Sequence, residues 1–523
     1  MSIFEVMGRV GLPEPVADLA THDWDVVVVG GGHNGLTAAA YLAIAGRSVL
    51  VLERRDQLGG ACTLERPFAD ERFVMSPCAY LVGLLHPRVI EELELDRFGY
   101  RTFVVDPTQW TPFEDGTALF QWQDEARTAA SVEAIAPHDV EGFLAYEALF
   151  DRIRDRLRRG PRGDVWLGDA PDRAALEELF ADDAEALEVV LHASIADVVE
   201  RYVTDDRLRT ALHGQGVIGT FAGPREPGTA WVHAHHSLGL LGGWSFVEGG
   251  MGRVSFCLAD AARAAGAVLA AGTPVAEIRP GSGVVLEGGE TIRARAVISN
   301  ADPVRTAALL GDHADDAFRS KVAAWRISSP VVKVNCGLSR LPTFPSADGD
   351  GTVFRAQVEI GRSIDDTQAA CEAARRGEPA PEWCELYFQT PYDPSVAPPG
   401  AHTMSVFAQF VPYELASGSW DERREEIGDA VLASIARFAP DVADCVVERQ
   451  VLGPPDVEEQ IGLTGGHIFQ GEILPEQMWT DRFSARTTMP GVYLCGAATH
   501  PGGSVMGVNG RNAAMAVLAA LAD

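Results

Sequence analysis

The feature that most constrains the fold of this chain is a strand, a glycine turn, a helix and a second strand that follow one another near the N-terminus. The run DWDVVVV is continuously apolar, as strands buried on both faces of a parallel sheet are. Gly30, Gly32 and Gly35 follow with GxGxxG spacing, and the next residues, LTAAAYLAIAG, have a helical composition that ends at Gly46. The strand SVLVLE then ends at Glu53. This order predicts a βαβ unit of about 30 residues.

The three glycines and Glu53 predict that this unit binds a dinucleotide. Gly30 permits a tight turn, Gly32 lets the backbone approach a pyrophosphate, and Gly35 lets the helix lie close to the strand. The N-terminus of the helix offers unpaired N–H groups to anionic oxygens. Glu53 would accept hydrogen bonds from ribose hydroxyls and would repel the 2′-phosphate of NADP. The unit therefore predicts NAD or FAD, and these residues leave both open.

Two further glycine-rich segments favour a long cofactor. RRDQLGGAC, directly after Glu53, contains Gly59 and Gly60, which allow the backbone to wrap closely around an extended chain. Near the C-terminus, GVYLCGAATHPGGSVMGVNGRNAAMAVLAAL predicts a strand, a glycine turn and a terminal helix, which offers a second anion or carbonyl site. A second complete nucleotide unit is missing, because the closest candidate, GGMGRVS, has Ser255 where the third glycine should be. We therefore expect no dedicated NAD(P)H site.

Composition limits the class of protein. With 523 residues, 46% of them hydrophobic and 22% charged, the chain predicts two or three compact domains. The net charge of −31 repels phosphate backbones, so nucleic acid is not an expected partner. The eight cysteines form no CxxC pair, which argues against a zinc or dithiol centre and favours a reducing cytoplasm. No signal peptide or membrane-spanning stretch is recognisable.

Several segments resemble one known family. They are HDWDVVVVGGGHNGLTAAAYLAIAGRSVLVLERRDQLGGA, VISNADP, YLCGAATHPGGSVMGVNGRNAA, SPCAYLVGLLHPRVIEELEL and HIFQGEILPEQMW. Together they resemble the phytoene dehydrogenase-like flavoproteins, which include bacterial carotenoid desaturases and ketolases and the branch of pyridine nucleotide-disulphide oxidoreductase domain-containing protein 2. The resemblance implies FAD as the cofactor. The stretch between these segments is much less diagnostic.

The resemblance also implies a fold. It is an α/β fold with a Rossmann-type FAD-binding domain, like the dinucleotide fold of glutathione reductase, built from discontinuous segments and interrupted by an α+β substrate domain. The expected FAD-binding segments are 24–99, 247–312 and 452–523. The expected substrate domain comprises 100–246 and 313–451, and 1–23 is an N-terminal extension.

The expected cofactor-binding residues combine the glycine units with positions implied by the resemblance. They are Gly30, Gly32, His33, Asn34, Gly35, Glu53, Arg54, Gly59, Gly60, Ala61, Val275, Asn300, Gly496, Gly503, Ser504 and Val505. The backbone at Val275 is expected to approach the adenine. The chain departs from the wider superfamily where Gly496 is followed by Ala497 instead of an acidic residue, so a carboxylate contact to the ribityl chain does not carry over.

Two residues are the catalytic candidates. His500 precedes the last glycine turn and could act as an acid or base, or could only shape the turn. Lys333 lies on the apolar strand VVKVNCGL, where it could touch the flavin or the substrate, or could be a surface lysine. His467 is a weaker candidate. The cluster WVHAHHS has no zinc-ligand spacing, so we predict a pocket or core segment and no metal site.

The leading hypothesis is an FAD-dependent dehydrogenase, desaturase or oxidase acting on a hydrophobic, isoprenoid or polyene substrate. Two alternatives share the fold, a flavin amine oxidase and a non-catalytic escort that binds prenyl groups or lipids. Oxygen or a quinone-like carrier is the expected electron acceptor. We expect a cytoplasmic protein. Contact with a membrane surface is a further prediction. The sequence leaves the oligomeric state open.

Overall fold

A computed structural model describes residues 2–160, 163–238 and 240–522. The strands are β1 Asp23–Val29, β2 Val49–Glu53, β3 Thr102–Val104, β4 Gln109–Pro112, β5 Ala118–Gln121, β6 Ser245–Val247, β7 Val268–Ala271, β8 Val275–Arg279, β9 Gly283–Leu286, β10 Thr291–Ser299, β11 Val331–Leu338, β12 Gln357–Ile360, β13 Trp383–Tyr387, β14 His402–Gln409, β15 Val446–Leu452 and β16 Val492–Leu494. The helices are α1 Val16–Leu19, α2 His33–Ile44, α3 Pro87–Glu92, α4 Glu125–Ile135, α5 Val140–Arg159, α6 Arg173–Leu179, α7 Ala184–Leu191, α8 Ile195–Tyr202, α9 Asp206–His213, α10 Thr229–His236, α11 Arg253–Ala264, α12 Pro303–Leu310, α13 Asp316–Ala323, α14 Ile364–Arg375, α15 Trp420–Ala436, α16 Val442–Cys445, α17 Pro454–Ile461 and α18 Val508–Ala522.

The first sheet contains the predicted βαβ unit. Its strands lie in the order β7-β2-β1-β10-β9-β8, and β16 also pairs with β10. Strand β1 is parallel to β2 on one side and to β10 on the other. Strands β9 and β10 form an antiparallel hairpin. This is the expected Rossmann-type arrangement, assembled from strands that lie far apart in the sequence.

The valine run of β1 is explained by apolar cores on both faces of this sheet. Val26 and Val28 pack in a core with helices α2, α11 and α18, whereas Val27 and Val29 pack in the core of the opposite face. Helix α2 begins at His33, three residues before the expected start, and Gly46 with φ +77° ends it as predicted. The sheet is therefore buried on both sides, as the continuous apolar run predicts.

The second sheet has one apolar face and one polar face. Its order is β15-β11-β14-β13-β12-β4-β5, and β14 is antiparallel to both of its neighbours, β11 and β13. Val332 and Val334 of β11 pack in a core that includes Ile427 and Val431 of helix α15. Lys333 and Asn335 lie on the opposite face and are also buried. The side chains of β11 thus alternate between the two faces of the sheet, and both faces are covered.

The first sheet takes its strands from 23–53, 268–299 and 492–494, and the second from 109–121, 331–409 and 446–452. Helices α4 to α10 pack in a separate core beside the second sheet. Where the chain is described, no helix is both long and apolar enough to cross a membrane. The predicted domain boundaries themselves stay a proposal.

Candidate functional site

A cleft of about 390 Å³ lies at the carboxyl ends of β1 and β2. We call it the cofactor cleft. Of the expected cofactor-binding residues, it is lined by Gly30, Gly32, His33, Asn34, Glu53, Arg54, Gly59, Gly60, Ala61, Val275 and Asn300. Residues from three separate parts of the sequence therefore meet at the strand ends, where ligands of open α/β sheets bind.

Glu53 is held in place by the backbone around it. One carboxylate oxygen accepts a hydrogen bond from the N–H of Gly31 at 2.8 Å, and the other accepts from the N–H of Arg55 at 2.9 Å. Each oxygen has a further lone pair. The buried carboxylate is therefore oriented in advance, with acceptor capacity left for hydroxyl donors.

The glycine positions leave space that side chains would fill. A Cβ on Gly32 would lie 2.9 Å from Nδ2 of Asn300, and a Cβ on Gly35 would lie 2.2 Å from the carbonyl oxygen of Gly30. Gly30 itself has φ +103°, a region that favours glycine. The lack of a side chain at Gly32 keeps the cleft open, and the lack of one at Gly35 allows α2 to lie against the turn.

The polar atoms and the shape of the cleft fit FAD. Nε2 of His33 and Oδ1 of Asn34 are buried without a hydrogen-bond partner among the described residues. The cleft continues into a second cavity, with which it shares His33, Ala61 and Ala497. A dinucleotide with a long second half can therefore extend from the glycine turn into this cavity, whereas a mononucleotide would fill only the cleft.

Three expected cofactor-binding glycines do not line the cleft. Gly35 lies behind the turn, against the carbonyl of Gly30. A Cβ on Gly496 would lie 2.3 Å from Oε1 of Gln470, and one on Gly503 would lie 2.3 Å from Cδ1 of Phe469. These glycines make room for packing, and their neighbours Ala497, Ser504 and Val505 line the second cavity.

The second cavity, which we call the inner pocket, has a volume of about 150 Å³. Much of its wall is apolar, from Leu81, Ile218, Val331, Phe407, Ile468 and Phe469. Its polar wall is the second sheet, which contributes Lys333, Glu385 and Tyr387. The chemistry available beside the cofactor cleft therefore comes mainly from this sheet face.

Lys333 is a buried lysine, only 3% exposed, and not a surface residue. Its Nζ lies 3.6 Å from the ring centroid of Tyr80, and no described residue lies within hydrogen-bond distance of it. Burial lowers the pKa of Lys333 to about 7, against the opposing effects of Cys78 and Glu385. The amine can therefore exist in its neutral, proton-accepting form near neutral pH.

Two buried carboxyl groups on the same face of the second sheet were not among the predicted site residues. Glu385 and Glu359 are 2% and 0% exposed and lie opposite each other on β13 and β12. Burial raises the pKa of Glu385 to about 7 and, with the neighbouring Glu385, that of Glu359 to about 8. The segments QVEI and WCELYF carry the signal that could have found them, because each places an acid on a short, otherwise apolar strand, as VVKVNCGL places a lysine.

The inner pocket opens into a larger cavity of about 600 Å³, which we call the outer cleft. The two share Gln215, His236, Trp244 and Gln357, and we call these four residues the neck. Nδ1 of His236 lies 2.8 Å from the carbonyl oxygen of Val232, and burial lowers the pKa of His236 to about 4. One member of the predicted WVHAHHS pocket segment is thus a neutral residue of the neck.

His500 lies away from these three cavities. Its Nε2 is 2.8 Å from the carbonyl oxygen of Val165, and its ring stacks near Trp166. Burial lowers the pKa of His500 to about 4. His467 is fully buried and accepts a hydrogen bond from the N–H of Phe469 at 3.2 Å. The geometry of both residues supports a structural role, and catalysis by His500 stays a prediction.

Known sequences resemble this chain over nearly its whole length. It is 35% identical to pyridine nucleotide-disulfide oxidoreductase domain-containing protein 2 of Rattus norvegicus, covering 94% of this chain and 93% of that protein. It is 28% identical to one of the subunits of limonene dehydrogenase from Castellaniella defragrans, with 94% of each chain covered. It is 25% identical to a lycopene-forming phytoene desaturase of Pseudescherichia vulneris, covering 92% of this chain and 96% of that protein. The resemblance read from the sequence is confirmed.

The fold is similar to that of a putrescine oxidase variant with redesigned cofactor binding, with a TM-score of 0.60. The two sequences are 18% identical, and the comparison covers 95% of this chain and 99% of that chain. The family described as flavin containing amine oxidoreductase matches residues 35–518. FAD is the cofactor that this family and the glycine-lined cleft share. The chain belongs to the flavin-containing amine oxidoreductase family and is an FAD-dependent oxidoreductase.

Proposed function

We propose that this protein removes hydrogen from a carbon–carbon bond of a hydrophobic, uncharged substrate. The observation that carries the proposal is the inner pocket, an apolar cavity that continues from the cofactor cleft and has a buried lysine in its wall. The names of two relatives point to hydrocarbons, limonene in one case and phytoene in the other. A substrate of this class gains from leaving water and makes few hydrogen bonds.

Removing two hydrogens from adjacent carbons requires an acceptor for a hydride and a base for a proton. FAD, when bound, supplies the two-electron acceptor. In the proposed reaction Nζ of Lys333 takes the proton, which converts the neutral amine to an ammonium as the carbon–carbon double bond forms. The face of Tyr80 stabilises that cation at 3.6 Å. The apolar wall excludes water, which strengthens this electrostatic effect.

The outer cleft is the proposed entry path. Its neck consists of two glutamines, a histidine and a tryptophan, and their amide and ring groups are uncharged at neutral pH. An uncharged chain can pass such a neck without leaving a charge unpaired. The cleft is large enough to hold the part of a long substrate that does not react.

The amine oxidase alternative is supported by the family description and by Tyr80 and Tyr387, two aromatic residues in the inner pocket. The geometry of these rings favours the hydrocarbon. Their centroids are 4.2 Å apart, so no substrate fits between them, and Nζ of Lys333 already covers one face of Tyr80.

Electrons would leave the reduced enzyme to oxygen or to a quinone-like carrier. Free NADPH is not an expected reductant, because Glu53 belongs to the FAD site and the GGMGRVS segment is incomplete as a second site. Contact with a membrane surface, from which a hydrophobic substrate or quinone could be taken, stays a prediction.

The experiment is anaerobic stopped-flow reduction of the FAD-bound enzyme by a panel of compounds. The panel contains a cyclic monoterpene, a linear polyene in detergent, putrescine, benzylamine and NADPH. We expect bleaching of the flavin by a hydrocarbon and none by the amines or by NADPH. Fast reduction by an amine would overturn the proposal in favour of an amine oxidase. Tight binding of a polyene without any reduction would favour the escort.

A further inference from the structure

Lys333 and Glu385 lie in one row across the second sheet. Lys333 of β11 pairs with Phe407 of β14, and Phe407 pairs with Glu385 of β13. Glu359 of β12 continues the row beyond Glu385. Side chains that share a row point to the same face, with backbones about 4.8 Å apart from strand to strand. A lysine is long enough to bring its ammonium over Phe407 toward the carboxyl group on the far side.

The contacts of Glu385 are those of a carboxylate. Oε1 accepts a hydrogen bond from Nε2 of Gln215 at 2.6 Å and another from the side-chain amide of Gln357. Oε2 accepts from the hydroxyl of Tyr387 at 2.5 Å. All of these partners are donors, and donors to a carboxylate favour its ionised form. Above its pKa of about 7, Glu385 therefore carries the negative charge of this wall.

Glu359 differs from Glu385 in its contacts. Its carboxyl group accepts longer hydrogen bonds, from Nε1 of Trp383 at 3.3 Å and from Nε2 of Gln215 at 3.4 Å. It does not line the inner pocket or the outer cleft. A second buried charge beside Glu385 is unfavourable, so the pair holds one negative charge, on Glu385.

The other titratable groups that face Lys333 and Glu385 carry no charge near neutral pH. Burial raises the pKa of Cys78, Tyr80 and Tyr387. Burial lowers the pKa of the two histidines in the pocket wall, His33 and His236, to about 4. Glu385 is thus the charged group nearest to Lys333 in this wall.

We propose that Glu385 is a positioning residue that acts through Lys333, because its carboxylate is the counter-charge that determines whether the Lys333 amine carries a proton. The inference rests on the proposed function for its catalytic consequence. With Glu385 ionised, the proton that Lys333 takes from the substrate is stabilised by an anion two strands away in the same row. Gln215 and Gln357 tie that anion to the neck, next to the outer cleft through which the proton can leave.

The chain allows a direct test because it contains only two lysines, Lys321 and Lys333. Protein labelled with carbon-13 at the lysine ε position gives two signals, whose pH titrations report each amine separately. Nζ of Lys321 donates to the carbonyl oxygen of Arg482 at 3.0 Å, away from the inner pocket, so Lys321 is an internal reference. The measurement uses the FAD-bound enzyme without substrate and does not depend on turnover.

In Glu385→Gln we expect the titration midpoint of Lys333 to fall by about one pH unit or more, because an opposite charge has been removed. The Lys321 midpoint should stay where it is. Glu359→Gln is the matched control, because it changes a neighbouring carboxyl that is neutral below pH 7.5, where Lys333 titrates. It should therefore leave the Lys333 midpoint unchanged. Equal shifts in both variants, or no shift in Glu385→Gln, would overturn the proposal.

Tyr387→Phe provides a second variant if Glu385→Gln does not fold. It removes a donor to the carboxylate, which makes Glu385 harder to ionise, so the Lys333 midpoint should fall by a smaller amount. An unchanged midpoint in that variant would equally count against the proposal.

The kinetic readout links the charge pair to catalysis. The rising limb of flavin reduction against pH should move with the Lys333 midpoint in each variant. If the midpoint shifts and Lys333→Met still reduces the flavin at the normal rate, Lys333 is not the base. The proposed function then loses its base, whereas the assignment of Glu385 as counter-charge stands.

Discussion

The two sheets of this protein both contribute to the site, but they do so in opposite ways. The first sheet is apolar on both faces and places its binding groups beyond the ends of its strands, in the loops after β1 and β2. The second sheet is apolar on one face only, and its functional side chains lie in the middle of its strands. In the proposed function, the first sheet positions the cofactor with backbone, and the second meets the substrate with side chains.

This difference determines which kind of substitution each region tolerates. The loops of the first sheet are crowded, by backbone at Gly35 and Gly59 and by the Asn300 side chain at Gly32, so adding a single carbon there is harmful. The polar face of the second sheet consists of long side chains with isosteric replacements, such as glutamine for glutamate. Substitutions there can change charge while they keep shape.

The largest effect is expected at Gly32. Gly32→Val places a branched side chain against Asn300, in the space that the pyrophosphate needs, so FAD binding should be abolished. The measurement is the ratio of flavin to protein absorbance after purification and after incubation with excess FAD. Gly46→Ala is the control for backbone strain, because its positive φ of +77° makes it costly in stability, but its Cβ meets open space at the other end of α2, so FAD content should stay normal. Full flavin content in Gly32→Val would contradict the proposed placement of the cofactor.

The next largest effect is expected on the rate of flavin reduction when Lys333 is replaced. Lys333→Met keeps the length and apolar packing of the side chain but removes its amine. We expect normal FAD content and a rate of flavin reduction lower by roughly 10²- to 10⁴-fold, as for a lost general base. Single-turnover reduction by the hydrocarbon substrate measures it, with Lys321→Met as the matched control at the other lysine. Loss of FAD from Lys333→Met would show that the second sheet also binds the cofactor.

The contrast between the sheets also explains what could be predicted from the sequence. The site of the first sheet is encoded in short contiguous runs, so Gly30, Gly32 and Glu53 were found together with the βαβ unit. The site of the second sheet is spread over separate strands, and each contributes one polar residue to an apolar run. Of these, Lys333 was found, because lysine is rare in this chain, whereas Glu385 was not. Nothing local in the sequence shows that β11 and β13 are separated by a single strand.

A smaller effect is expected from Glu359, and it depends on pH. The ordinary pKa of 4.5 applies to the unfolded chain, whereas burial raises the pKa to about 8 in the folded protein. Between these values the folded state holds one proton more, so the contribution of this group to stability is complete below pH 4.5 and is lost as the pH rises through 8. Glutamine has no proton to lose.

Glu359→Gln should therefore gain stability relative to the wild type as the pH rises from 5 to 8, by about 3 to 4 kcal/mol. Urea unfolding of both FAD-bound proteins at pH 5, 6.5 and 8 measures the difference. A difference that is constant with pH would mean that Glu359 is ionised in the folded protein. The assignment of a single negative charge to the pair would then be wrong.

The smallest effect is expected at His500, and it tests whether the chemistry is confined to the second sheet. His500 follows β16 of the first sheet and contacts the carbonyl of Val165, not a cavity. His500→Ala leaves that carbonyl without its donor and should lower the free energy of unfolding by about 1–2 kcal/mol. Its flavin reduction rate should change little, because the ring is neutral and does not line the inner pocket.

A catalytic His500 predicts the opposite pair of results. Stability and flavin content would then be preserved while reduction by the substrate slows by roughly 10²- to 10⁴-fold. Measuring urea unfolding, flavin content and single-turnover reduction on the same preparation separates the two roles. If reduction slows, the loop after β16 contributes a side chain to the chemistry, and the division between a sheet that binds by backbone and a sheet that reacts by side chains no longer holds.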